Sequence, residues 1–348
     1  MKNIVGIDVG GTFTDLFSWD QKGNGVQVAK ALSTITDQSV GIMNVLGEAG
    51  INIEELALIV HGTTVATNAV LERKGARTAL ITTKGFRDVI ELKRRDRPML
   101  YGLKCSFEPL IPRFRRYEVD ERVNERGDIE NEILEDEIKA TAERLVTDKA
   151  ECAVVGFFNS YANPSNEQRV AKTLRRYWPE GHIIIASDVV NEYREFERIS
   201  TAVTNAYVLP KIENYLSSLS TRLNNAKFGG DIAIVHSGGG IMSLDLARRY
   251  PVRTLLSGPS SGVAVAAYIS RQINRQNMIS CDMGGTSFDV SLIKNGVFNH
   301  IGYKELTYGV PLLVPQVDMV TIGAGGGSIS HIDRGGVLHV GPGSAGAA

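Results

Sequence analysis

The tightest constraint on this chain is a loop pattern written twice. "GIDVGGTFTD" runs from Gly6 to Asp15, and "CDMGGTSFDV" runs from Cys281 to Val290. Aligned without a gap, the two put Asp8 on Asp282, Gly10 on Gly284, Gly11 on Gly285, Thr12 on Thr286 and Asp15 on Asp289. Each copy reads as an apolar run ending in aspartate, a Gly-Gly turn and a second run, which is a β-hairpin. Paired glycines let backbone N–H groups approach an anion with no Cβ in the way, and the threonine adds a hydroxyl donor. An aspartate at the end of the incoming strand suits Mg²⁺ held through waters, or an attacking group that must be oriented. One such loop is ordinary hairpin chemistry. Two, at matched places in each half, predict a duplicated fold whose loops face each other across a cleft and grip one polyphosphate from both sides.

The chain has 348 residues, enough for two domains. Its 38 basic and 39 acidic side chains leave a net charge of −1, so no basic excess marks it for nucleic acid or an anionic membrane. No apolar run approaches membrane-spanning length, and no leader precedes the first strand. Cys105, Cys152 and Cys281 form neither a CxxC pair nor a metal-ligand spacing, which suits a reduced, cytoplasmic protein. Cys281 falls in a strand expected to be buried and inert.

Strand signals at "NIVGIDV", "TFTDLFSW" and "GVQVAKAL" precede alternating helices and strands. That order suggests a mixed sheet with helices on its faces. "ERISTAVTNAYVLPKIENYLSSLSTRL" reads as one or two joining helices, with a second half opening at "DIAIVHSGGG". The expected domains are therefore residues 1–195 and 196–348. An Arg/Pro-rich stretch at 94–126 reads as an insertion, whose basic residues either meet an anionic ligand or form a solvated face. "LALIVHGTTVATNAVLE" is strand, His-Gly-Thr-Thr, helix. Thr63 or Thr64 could cap that helix and leave its N–H groups for an anion, or simply cap it. "TIGAGGGSI" and "HSGGGIM" read equally as tight turns or as loops lining a ligand.

These residues resemble a known family. "GIDVGGT" and "DMGGTSFDVSL" are similar to the two phosphate loops of the actin, Hsp70 and sugar-kinase superfamily, and "LSGPSSGVAVAAY" sits where that superfamily has its first connecting helix. Together with "HGTTVATNAVLERKGARTALITTKGFRDV", "REFERISTAVTNAYV" and "VDMVTIGAGGGSI", they resemble the hydantoinase A/5-oxoprolinase family across nearly the whole chain. The resemblance implies an α/β protein with two ribonuclease H-like (actin-like ATPase) halves around a nucleotide cleft, the second half incomplete at Ala348. It implies ATP and Mg²⁺ as cofactors. Gly10, Gly11, Thr12, Gly284, Gly285 and Thr286 would hold phosphates, and Asp8 and Asp282 would serve the metal and the reacting oxygen. His61, Gly62, Thr63 and Thr64 would line the substrate, with His61 orienting it or reaching a partner subunit. The implied activity is phosphorylation of a cyclic amide (hydantoin, lactam or 5-oxoproline) to drive ring opening, in a hetero-oligomer with a B-type subunit. A ketone carboxylase subunit is the rival, and an Hsp70- or actin-like ATP switch without a small substrate is another.

Overall fold

The computed structural model describes residues 3–10, 13–20, 25–34, 37–97, 101–102, 107–285 and 287–345. Of the expected phosphate contacts, Gly11, Thr12 and Thr286 lie outside the described residues, as does Cys105.

The chain opens with three antiparallel strands, β1 (Asn3–Val9), β2 (Phe13–Asp20) and β3 (Gly25–Leu32). Asp37 then caps α1 (Gln38–Glu48), its carboxylate accepting from the Ser39 N–H at 3.0 Å. The helix packs Ile42, Val45 and Leu46 into one core with Val5, Ile7 and Val9 of β1 and Leu16 of β2. Strand β4 (Leu56–Thr63) runs parallel beside β1 and leads into the short helix α2 (Val65–Leu71).

A second sheet follows, made of β5 (Thr78–Thr83), β6 (Arg116–Val119), β7 (Cys152–Val155) and β8 (His182–Ile185). Its order is β8-β7-β5-β6 and every pair is parallel. Strands β5 and β7 are buried at every position, as expected for parallel strands covered on both faces. The single mixed sheet expected for this half is thus corrected to two sheets. Local strand signals cannot say which strands pair, and here the later ones pair among themselves.

Helix α3 (Glu195–Asn225) is one continuous helix through Pro210. From Phe196 to Val208 its residues are all buried, and packing along that length offsets the hydrogen bond that proline removes. The strand read as the start of the second half, β9 (Asp231–Val235), pairs in parallel with β4, and β10 (Ile241–Ser243) lies outside it. This corrects the placement of "DIAIV": it completes a six-stranded sheet of order β10-β9-β4-β1-β2-β3. The intervening chain serves as the long crossover that a parallel neighbour requires.

Helix α4 (Ser257–Gln272) leads to the second hairpin, β11 (Met278–Met283) and β12 (Phe288–Lys294). Beside β12 runs β13 (Met319–Ile322), antiparallel, as β3 runs beside β2. Cys281 is exposed rather than buried, because nothing among the described residues covers its face of this sheet. The Arg/Pro-rich stretch is corrected as well. Arg116 is buried with its guanidinium on Glu91 at 2.7 Å, Arg113 pairs with Asp88 at 2.9 Å, and Arg94 pairs with Glu197 at 2.6 Å. These three cations brace the insertion and present neither an anion site nor a free basic face.

Candidate active site

The two hairpins close in the same way. Gly10 N–H donates to the Phe13 carbonyl at 3.0 Å, and Gly284 N–H donates to the Ser287 carbonyl at 2.9 Å. Asp8 faces Asp15 across the first hairpin, and Asp282 faces Asp289 across the second. Each turn is propped from behind. Ser33 Oγ donates to the Gly10 carbonyl at 2.9 Å. The "GAGGG" loop donates from Gly326 and Gly327 to the carbonyls of Gly284 and Gly285, at 2.9 and 2.8 Å. That loop buttresses the second hairpin, a role open to glycines because two backbones must come within hydrogen-bond range.

Three elements meet at Asp8. A Cβ on Gly62, at the end of β4, would stand 2.7 Å from Asp8 Oδ1, and one on Gly258, in the first turn of α4, would stand 3.2 Å from it. A Cβ on Gly262 would lie 3.9 Å from Asp282 Oδ2. Gly258 and Gly262 are four residues apart and so share one face of the helix. The start of α4 therefore spans the space between the hairpins, Asp8 at one turn and Asp282 at the next. Ser257 ties this start to β4, its Oγ donating to the Thr63 carbonyl at 3.1 Å.

The charges here are unbalanced. Asp8 is open to solvent along the cleft yet crowded by protein, and its pKa is raised, first by partial desolvation and then by Asp15 and Asp282. Asp15 is offset by Lys30 at 2.9 Å. Asp289 is also raised, by burial first, while Thr321 Oγ1 donates to it at 2.5 Å; Asp282 adds a further upward push and Lys304 a downward one. No group of three or more His, Cys, Asp or Glu side chains among the described residues could hold a metal alone. Magnesium does not need one, since it is held by one or two carboxylates with waters and substrate phosphates. Every influence on Asp8 disfavours its charged form, which is the imbalance a divalent cation reverses, so the residues present fit Mg²⁺.

The His-Gly-Thr-Thr segment is close to this point but acts differently from expectation. His61 is fully buried, with Nδ1 at 3.2 Å from the Ile7 carbonyl and Nε2 hydrogen-bonded to the Tyr215 hydroxyl of α3. Burial lowers its pKa to about 4. Its expected contact with substrate is corrected: both ring nitrogens are engaged, and it positions β1 and β4 on α3. Helix α2 is only seven residues long, and Thr63 Oγ1 accepts from the Val65 N–H at 3.2 Å. Thr64 Oγ1 donates to the Val9 carbonyl at 3.2 Å. The two threonines knit β4 to the first hairpin and to α4, so the expected anion site at this helix start is replaced by an internal brace. Gly62 is the member of the segment that faces Asp8. Sequence reasoning overlooked Gly258 and Gly262, for which the small residues of "SGPSSG" were the available signal.

Residues 4–178 match the family profile of the hydantoinase/oxoprolinase N-terminal region, and residues 198–348 match that of hydantoinase/oxoprolinase. An uncharacterized protein of Methanocaldococcus jannaschii is 38% identical over 99% of this chain and 53% of its own length. The caprolactamase subunit alpha of Pseudomonas jessenii is 33% identical over 99% of this chain and 51% of its own. The crystal structure of the ATP-dependent caprolactamase from that organism superposes with a TM-score of 0.87 at 31% identity, covering 99% of this chain and 51% of the other. A nucleotide-free acetone carboxylase structure superposes with a TM-score of 0.86 at 29% identity, covering 99% and 52%. The chain thus spans about half the length of these relatives.

Proposed function

Because the chain belongs to the hydantoinase/oxoprolinase family, we propose that it carries the nucleotide cleft of an ATP-dependent cyclic-amide hydrolase. The observation that carries this reading is the meeting of Asp8 and Asp282 on successive turns of one helix, each at the end of a Gly-Gly hairpin. The two sheets bearing these hairpins are read as ribonuclease H-like halves. The N–H groups around Gly10, Gly284 and Gly285 take the phosphates, and Asp8 and Asp282 hold Mg²⁺, which supplies neutralising charge on the phosphate oxygens.

An amide resists water because nitrogen feeds electron density into the carbonyl. Attack of that carbonyl oxygen on the γ-phosphorus forms an O–P bond, releases ADP and leaves an electrophilic imidate carbon. Water then adds to the carbon, phosphate departs and the ring C–N bond opens. The chain's contribution is positioning and electrostatics, as in phosphoryl transfer generally. Asp8, pushed toward its neutral form in the empty cleft, is poised to accept a cation or to orient the attacking oxygen.

A ketone carboxylase reading is supported by the equally close likeness to acetone carboxylase. The same loops would then phosphorylate an enolate or bicarbonate oxygen. Relatives named as subunits support a hetero-oligomer. The deciding measurement is phosphate release by the assembled protein with lactams, hydantoins, 5-oxoproline, or a ketone with bicarbonate. Stimulation by a cyclic amide alone is the expected result. Stimulation only by ketone with bicarbonate selects the second reading, and stimulation by none overturns both.

A further inference from the structure

The second sheet has a face that nothing covers. Strands β11, β12 and β13 pair Ile279 with Leu292, Cys281 with Val290, and Val290 in turn with Val320. Paired and alternate residues of a sheet share a face, so these side chains and Met283 form one apolar surface. Asp282 and Asp289 project from the other face, toward α4 and the cleft. Ile279, Met283, Leu292 and Val320 are 62–66% exposed. An apolar sheet face this open marks an interaction site.

The internal repeat identifies what belongs there. The alignment that puts Asp8 on Asp282 puts Val5 on Ile279, Ile7 on Cys281 and Val9 on Met283. In the first sheet those three positions are 0–3% exposed. They are covered by α1, whose Ile42, Val45 and Leu46 are fully buried in the same core. Gly41 of α1 comes so close that a Cβ would stand 3.1 Å from Thr14 Oγ1, and Thr14 is the counterpart of Phe288 on the naked face. In the first sheet the covering helix follows the third strand. In the second sheet, the third strand β13 is followed instead by the hairpin β14 (Ser328–Ile332) and β15 (Leu338–Ser344), whose own Ile332 and Leu338 are exposed.

The geometry points to this face as the seat of an amphipathic helix, the counterpart of α1. It is delivered by the polypeptide that corresponds to the half of the relatives' length this chain does not match. The helix carries apolar residues at the spacing of Ile42, Val45 and Leu46, with a small residue where the sheet is closest. Docked there, it sandwiches β11 and β12 between itself and α4 and fixes the hairpin that holds Asp282.

The test uses the chain expressed in its own host, with a photo-crosslinking amino acid in place of Leu292, together with thiol labelling read peptide by peptide. Cys152, fully buried, serves as the unreactive internal reference. We expect a crosslink to an amphipathic helical segment of that polypeptide, and labelling of Cys281 slowed at least tenfold relative to the isolated chain. Leu292→Asp should abolish the assembly while leaving the thermal midpoint of the isolated chain unchanged, since that side chain already faces water. The proposal is overturned if Cys281 in the host-assembled protein labels at the isolated-chain rate. A crosslink joining two copies of this chain, or normal assembly of Leu292→Asp, overturns it equally.

Discussion

His61 and Asp8 lie one strand apart and titrate in opposite senses. Burial holds the folded pKa of His61 near 4, below its unfolded value of about 6.5. The unfolded chain therefore binds more protons between those values. Stability from this group is complete above about pH 6.5 and is lost as pH falls toward 4. Thermal midpoints measured from pH 7.5 to 5 should fall more steeply for the parent chain than for His61→Gln. Equal slopes would mean that His61 is not sealed as described. At neutral pH His61→Ala should cost roughly 2–4 kcal/mol, since it opens a cavity and strands the Tyr215 hydroxyl. For Asp8 the folded pKa is raised, so its ionised form opposes folding once the pH exceeds the unfolded value of about 3.9. Asp8→Asn should therefore leave the thermal midpoint at pH 7 unchanged or slightly higher. Phosphate release by the assembled protein should nevertheless fall by about 100-fold or more, the scale of losing one preorganised electrostatic group. Near-normal turnover would remove Asp8 from the chemistry.

At the scale of elements, the site depends on how closely β4 and α4 approach the first hairpin. Gly62→Ala places a methyl 2.7 Å from Asp8 Oδ1, a distance that forces the carboxylate to move, whereas Gly258→Ala places one at 3.2 Å, where a few tenths of an ångström suffice. Turnover should drop in that order, at least tenfold for Gly62→Ala and less for Gly258→Ala, with circular dichroism unchanged in both. The reverse order would mean that Asp8 points elsewhere. The sequence made the hairpins, α1, and the strand before His61 legible because their signals are local: Gly-Gly between alternating runs, Asp37 before an apolar stripe, a β-branched run. Other facts depended on partners far along the chain. Tyr215 is 154 positions from His61, and Asp231–Val235 joins a strand at Leu56–Thr63 only after the inserted sheet has intervened. Neither residue carries a mark of its destination. The glycines of "SGPSSG" looked like helix-start chemistry, although their spacing is what lets two aspartates share one helix face.

At the scale of the whole molecule, the cleft exists because two hairpins from opposite ends of the chain are brought onto α4. Asp8 sits in the six-stranded sheet and Asp282 in the smaller one, so their mutual repulsion is felt only if the two sheets hold the described relation in solution. A double-mutant cycle on stability reports this directly. Asp8→Asn and Asp282→Asn each relieve the same repulsion, so the double variant should gain less than the two single gains added together. Both side chains meet solvent, which screens the effect, and the shortfall should be roughly 0.2–1 kcal/mol. It should shrink as salt is raised from 50 to about 500 mM, because the Debye length falls well below the width of such a cleft. A Asp15→Asn partner provides the internal contrast: it lies opposite Asp8 on the same hairpin and should couple to Asp8 whether or not the halves meet. Coupling of Asp8 to Asp15 but not to Asp282 would show the cleft open in solution. Coupling to both would mean that the hairpins stand across from each other before any nucleotide arrives, so that binding closes a site already assembled.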